Sequence, residues 1–238
     1  MPLCDALRVS VVVEFLEAAV HHLLHARGLY PKELFEPVNV CGARCMKARH
    51  PDLEAYVFDA LNALRGPIAA GDVKRVVLVV KDGGSNPGEV VERFTFDFLL
   101  HLASAEKPSR ADVDDVTRAF GATISKISFL DALLPPLPAG SSRCTFEIVA
   151  YATRAGVSRE LGTEAWTEEK VGLRGLEPES GSAGGGGGAE AGIGYAEPAP
   201  EFSNGCAREV VPVKSTCTNI VNLDLFVERR RDDNRGLA

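Results

Sequence analysis

Residues 175 to 205 contain ten of the chain's 23 glycines, five acidic residues and no lysine or arginine. Such a segment buries too little apolar surface to offset the entropy of ordering it. Beyond it comes VPVKSTCTNIVNLDLFVERR (211–230), which carries a clear β-strand pattern. A floppy tether therefore ends in a sheet-forming segment. That segment must dock on a sheet built earlier in the chain, or close over something lying on that sheet. This order of parts points to a binding device.

A length of 238 residues, some of them in the tether, suits one medium-sized domain, and 45% hydrophobic residues suffice for a core. The net charge of −7 offers no basic footprint, so direct grip on nucleic acid is not expected. The cluster Arg229, Arg230, Arg231 and Arg235 reads as a solvated tail after the last strand. No apolar run is long enough to span a bilayer, and Asp5, Arg8 and Glu14 interrupt any signal-peptide core, so no membrane partner is expected. The six cysteines (Cys4, Cys41, Cys45, Cys144, Cys206 and Cys217) are irregularly spaced, as in a reduced intracellular protein.

Periodicity predicts three helices and a mostly antiparallel sheet. Residues 9–28 repeat Val12, Phe15, Leu16, Ala19, Leu23 and Leu24 at helical spacing, with Gly28 as C-terminal cap. Apolar residues cover more than half of that helix, so it should be buried on several sides. Residues 30–51 read as an irregular connection with room for a short strand. A second helix starts at Pro51 and carries Leu53, Tyr56, Val57, Ala60, Leu61 and Leu64 on one stripe, with Gly66-Pro67 as its stop. RVVLVVK (75–81) reads as a central strand, joined by a hairpin to 90–98, where Phe94, Phe96 and Phe98 alternate with Arg93, Thr95 and Asp97. Ser109 and Asp112 form a capping box for a third helix that ends at Pro135-Pro136. CTFEIVAYAT (144–153) is a strand, and Val221, Leu223, Leu225 and Val227 line one face of the last one. The fold class is α+β, with helices on one face of the sheet.

Catalytic chemistry is mostly missing from the pattern. His21 and His25 have the i, i+4 spacing of helical metal ligands, but position 22 is His where a zinc peptidase needs its Glu. Cys41 and Cys45 lack a second pair at zinc-finger spacing. DGGSNPG lacks the Lys-Ser/Thr of a phosphate loop, and GGGGAEAGIG has no strand before it. No cofactor is expected, and no catalytic constellation emerges. Trp166, the only tryptophan, reads equally as a core anchor and as an interface contact. Tyr56, on the stripe of its helix, reads first as core.

Several stretches, in order, resemble the HORMA domain family: EFLEAAVHHLLHARGLYP (14–31), HPDLEAY (50–56), VERFTFDF (91–98), RAF and SKISFLDALL (118–134), CTFEIV (144–149), and VPVKS followed by LDLFVE (211–228). HPDLEAY and LDLFVE are most similar to the subgroup that serves DNA polymerase zeta as accessory subunits. The resemblance implies one HORMA domain over 1–238: a core at about 9–150, a mobile C-terminal safety belt at about 151–230 with a disordered Gly-rich insertion at 175–205, and a charged tail at 231–238. It implies a non-catalytic adaptor of translesion synthesis, in the nucleus and also the cytoplasm. The belt would pin a Pro-containing peptide of the polymerase zeta catalytic subunit onto the sheet, with Tyr56 and Trp166 touching it. Val210, Asp224, Leu225 and Phe226 would meet the C-terminal domain of the Rev-type deoxycytidyl transferase; the family has a larger aliphatic at the position of Val210 and a glutamine at that of Asp224. Arg118 and Ala132 match positions used when two HORMA domains pair, with a second HORMA protein or a second copy of this chain. The alternatives are a spindle-checkpoint or meiotic HORMA adaptor and, in another class, a zinc enzyme built on His21, His25 and the cysteines.

Overall fold

The structure is a computed structural model that describes residues 3–84, 87–101, 108–137, 144–152, 170–173, 194–195, 202 and 208–230, with backbone alone at 3–5, 152, 170–173 and 194–195. Helix α1 (Leu3–Ala26) runs through the middle of the domain. Val12, Phe15, Leu16, Ala19, Val20, Leu23 and Leu24 have essentially no exposed surface, as expected of a helix with apolar residues on several sides. It ends as the sequence predicts. Gly28 takes φ 63, its amide returns to the His25 carbonyl, and the Leu29 amide reaches the Leu24 carbonyl at 3.1 Å.

The connection that follows is more ordered than its sequence suggests. β1 (Phe35–Val40) and β2 (Ala43–Ala48) form an antiparallel hairpin closed by Cys41 and Gly42, both at positive φ. A non-glycine residue at positive φ is disfavoured and needs support. Support comes from Gly121 in α4 (Arg110–Ile127), where an added Cβ would stand 2.3 Å from the Cys41 carbonyl oxygen. The missing side chain lets the hairpin tip sit directly on the helix.

α2 (Pro51–Asn62) ends sooner than expected, and Gly66-Pro67 falls inside a further short helix, α3 (Arg65–Ala69). Proline is tolerated there because the first turn of a helix has no acceptor for its amide. The third predicted helix is also divided. α4 begins at the Ser109–Asp112 capping box, but Ser128 and Phe129 separate it from the one-turn α5 (Leu130–Leu133).

Among the described residues the main sheet has seven strands, all pairs antiparallel: β3 (Val73–Lys81), β4 (Val90–Leu100), β5 (Thr145–Ala152), β6 (Lys170–Leu173), β7 (Gly194–Tyr195), β8 (Arg208–Cys217) and β9 (Val221–Arg230). Their order in space is β7-β6-β5-β3-β4-β9-β8. One face carries Val76, Leu78, Val80, Phe94, Phe96, Phe98, Ile148, Leu223, Leu225 and Val227 against the helices. The alternation read in 90–98 and 221–227 places these residues as predicted. Phe15 of α1 stacks on Phe120 of α4 at 4.0 Å and meets Phe96 edge-on at 6.3 Å, so three elements share one aromatic contact. Among the described residues no helix is long and apolar enough to cross a membrane.

One buried ion pair ties these layers together. Arg27, just past α1, donates to both carboxylate oxygens of Glu92 on β4 (2.9 and 2.8 Å) and to the Pro135 carbonyl at 2.9 Å. Removing one member leaves the other charge buried. Glu92→Gln should therefore cost about 3 kcal/mol of unfolding free energy in a denaturant titration.

Acid should weaken the fold before ordinary carboxylates titrate. Burial lowers the pKa of His21 and of His22 from 6.5 to about 4. The unfolded chain takes up these protons near pH 6.5 and the folded chain does not. Stability is therefore complete above pH 6.5 and falls as pH drops toward 4, by up to about 1.4 kcal/mol per pH unit for each histidine. Denaturation at stepped pH should show this slope, and His21→Leu should reduce it by about half.

Candidate functional site

β5 is the last long strand on one side of the sheet. Its inner side pairs with β3 from Thr145 to Ala152. On its outer side β6 covers Ile148–Tyr151, and Thr145–Glu147 have no strand partner there among the described residues. β6 has four residues, and β7 adds two pairs beyond it. Main-chain donors and acceptors on such an edge are a template for another strand.

Three aromatic residues gather at this edge. Phe146 of β5 meets Tyr56 of α2 edge-on at 5.6 Å and Tyr30, from the segment after α1, at 6.1 Å. The Tyr56 phenol is hydrogen-bonded to the backbone of Ile148, and burial raises its pKa. Tyr56 thus belongs both to the apolar stripe of its helix and to the margin of the sheet. Pattern alone assigned it only the first place. Tyr30 and Phe146 were not singled out from sequence, because what joins them is a ring contact between residues 116 positions apart. Trp166 lies outside the described residues.

The last hairpin, β8–β9, sits at the opposite side of the sheet. β9 pairs with β4 from Glu92↔Arg229 to Leu100↔Val221, and β8 is the outermost strand. In the connection, Thr218 accepts the amides of Ile220 and Val221, and Asn219 donates to Asp112 at the start of α4 at 2.8 Å. Val210 stands 58% exposed on β8. Asp224 is exposed and Phe226 half-buried on the sheet face away from the helices. Leu225 does not join them: period-two alternation turns it into the helix-side core at 2% exposure, out of reach of a surface partner.

Arg118 is exposed on α4 and ion-paired with Asp115 at 3.0 Å. Ala132 is exposed on α5, flanked by Phe129 and Leu133, which are 64% and 52% exposed. These two large apolar residues, spaced i, i+4, were not singled out from sequence.

The groups that suggested chemistry have other surroundings. His21 is fully buried with neither ring nitrogen bonded, near Lys47 and Glu54. His25 packs edge-on against Phe35 at 5.3 Å, with Lys32 and Asp131 nearby. His22 accepts the Met46 amide at Nδ1 (3.1 Å), and its Nε2 lies 2.8 Å from the Ser128 hydroxyl. The spacing of His21 and His25 therefore does not bring them to a shared ligand. Burial pushes the Cys45 thiol up to about 12 and the Cys144 thiol to about 11, far from a reactive thiolate. Among the described residues no group of three or more His, Cys, Asp or Glu is placed to hold a metal ion.

The HORMA domain model matches residues 9–160. The chain is 35% identical over 156 residues to the mitotic spindle assembly checkpoint protein MAD2B of Gallus gallus, a match covering 64% of this chain and 68% of that one. It is 30% identical to the DNA polymerase zeta processivity subunit of Arabidopsis thaliana, over 65% of this chain and 68% of the relative. A chain in the crystal structure of the mitotic checkpoint complex superposes with a TM-score of 0.67 at 22% identity, covering 94% of this chain and 98% of that one. C. elegans HTP-2 bound to the HIM-3 closure motif superposes with a TM-score of 0.58 at 14% identity, over 92% and 88% of the two chains. By its sequence and its antiparallel sheet backed by helices, the chain belongs to the HORMA domain family.

Proposed function

We propose that this chain is a non-catalytic adaptor that captures a partner peptide as an added strand on the outer edge of β5. The observation that carries this reading is the half-covered edge itself. Four residues of β6 are its strand cover, Tyr56 is bonded to its main chain, and the chain's own last hairpin occupies the far side. Main-chain hydrogen bonds would supply affinity, and the Tyr30–Tyr56–Phe146 group would select side chains. The chain from about Tyr151 onward would act as the belt around the guest, with Trp166 touching it, and the whole of 1–238 would be one domain. HTP-2 bound to a closure motif is a HORMA-fold relative holding a peptide motif, which supports a peptide as the guest.

The relative named as a polymerase zeta processivity subunit supports a more specific reading. The guest would be a Pro-containing segment of the polymerase zeta catalytic subunit. Proline suits an edge position, where its missing amide costs no ladder bond. Val210, Asp224 and Phe226 would offer a second surface to the C-terminal domain of the Rev-type deoxycytidyl transferase, with Leu225 shaping that strand from beneath. Arg118 and Ala132 would pair with another HORMA domain. The adaptor would act in the nucleus in damage tolerance. A second reading is a checkpoint or meiotic adaptor. It draws on the 30% identity to the checkpoint protein MAD2A of Dictyostelium discoideum. Partners co-purified after DNA damage and after mitotic arrest separate the two.

Two measurements test this function. Tyr56→Ala and Trp166→Ala should each weaken capture of the catalytic-subunit peptide by about tenfold or more in a pull-down or titration. Undiminished capture by both would remove the assignment. Val210→Arg should abolish binding of the transferase C-terminal domain while peptide capture stays unchanged; loss of both together would mean that Val210 acts through the fold.

A further inference from the structure

The last turn of α1, strand β2 and the junction between α4 and α5 frame an open cavity of about 380 Å³. That is the size of a small-molecule site. Tyr30, Tyr56 and Phe146 of the β5 edge do not line it, and neither do Val210, Asp224 and Phe226.

The charge around this cavity is unusual for the chain. Acidic residues outnumber basic ones, 33 to 26, so a cation readily finds a carboxylate. Lys47, Arg75, Lys81 and Arg93 each have one. Lys32 and Arg44, both exposed on the cavity wall, have neither a hydrogen bond nor an ion pair among the described residues. Asp131 is the one acid on the wall, and it leans toward the Arg27 guanidinium at 3.3 Å. Cations near helix C-termini often serve the last carbonyls. Here backbone amides already take the carbonyls of Leu24, His25, Ile124 and Lys126. The two positive charges are therefore unspent.

His22 places a neutral donor beside them. Burial keeps its ring neutral, and Nδ1 accepts the Met46 amide at 3.1 Å. The ring hydrogen is then on Nε2, which donates to Ser128 Oγ at 2.8 Å. Ser128 keeps its own hydroxyl hydrogen. Thr117, Thr123 and Ser125 of α4 give theirs to the carbonyl four residues back, and Ser128 makes no such bond among the described residues. His25, on the same wall, has no hydrogen bond from its ring nitrogens among the described residues.

We propose that this cavity binds a phosphoryl group, with Arg44 and Lys32 supplying the charge and Ser128 a hydroxyl donor oriented by His22. The donors come from three separate segments, which suits an anion with several oxygens better than a single carboxylate. A guanidinium can engage two of those oxygens at once. The cavity is larger than a bare phosphate, so it has room for whatever carries the group. The same chemistry would receive free phosphate or a phosphorylated side chain. The proposal stands apart from peptide capture at β5.

The test is an amide NMR titration of the full chain with inorganic phosphate, O-phosphoserine and glutamate in turn, at constant ionic strength. Phosphate or phosphoserine should give saturable shifts centred on Lys32, Arg44 and Ser128, with half-saturation at about 1 mM or below. Tighter binding of phosphoserine would identify a phosphorylated side chain as the source, and equal binding would identify free phosphate. Arg44→Gln and Lys32→Gln should each weaken binding at least about fivefold. Lys126→Gln, which removes a cation of α4 outside the cavity, should leave it unchanged. Absence of saturation, shifts centred elsewhere, or glutamate binding as tightly as phosphoserine would overturn the site. So would equal losses in Lys126→Gln and Arg44→Gln, which would mean attraction to surface charge alone. Should a variant misfold, the wild-type shift map decides by itself. Loss of peptide capture, by contrast, would strike the adaptor reading and leave this result untouched.

Discussion

A guanidinium and a carboxylate, with side chains 2% and 3% exposed, hold three parts of this domain at one point. Arg27 follows the central helix, Glu92 stands near the start of the strand that receives the last hairpin, and Pro135 follows α5. Burial alone would favour a neutral Glu92, and its pKa is indeed raised; Arg27 and Arg229 pull in the opposite direction. Such a pair adds little net stability compared with apolar packing, but its geometry is unforgiving, because either charge alone is stranded. The helix layer is thereby fixed to β4, and β4 fixes β9. The register of the C-terminal strands against the sheet is tied to the end of α1 on the other side of the core.

The two sides of the sheet are treated differently, and the proposed function rests on this difference. On the β4 side a nine-pair ladder with β9, and β8 beyond it, builds a long and well-paired flank. On the β5 side the cover is four residues of β6, with part of β5 left without a strand partner among the described residues. Edge strands are normally blunted because they recruit other chains. Here the weakly covered edge lies beside three aromatic rings, the arrangement that the proposed peptide capture would use. The two faces also differ. Helices bury one, while the other presents a valine trough whose described covering residue is Phe202.

Much of the helix and strand content was legible because it rests on period and on caps. The Phe94–Phe96–Phe98 alternation, the Ser109–Asp112 box and Gly28 each depend on neighbours within a few residues. The β1–β2 hairpin was not legible. Its turn is Cys41-Gly42 rather than Asn-Gly or Asp-Gly, Pro37 interrupts the first strand, and its tip is supported by Gly121, some 80 residues away. The break at Ser128–Phe129 was hidden for a related reason: the apolar stripe continues through it to Leu130, which is buried as the stripe requires.

The candidate site divides along the same line. By itself the amino-acid order determined that a strand pattern follows a Gly-rich stretch, that Leu223, Leu225 and Val227 share a face, and that no local motif places catalytic groups; these are properties of composition and of spacing within one segment. The tertiary structure alone decided that Tyr56 reaches the backbone of Ile148, that His21 and His25 have separate surroundings, and that Phe202 rests on valines from three strands. Those facts depend on which strands become neighbours. Pairing between β5, β3 and β4 is set by long-range burial, which no single stretch of sequence contains.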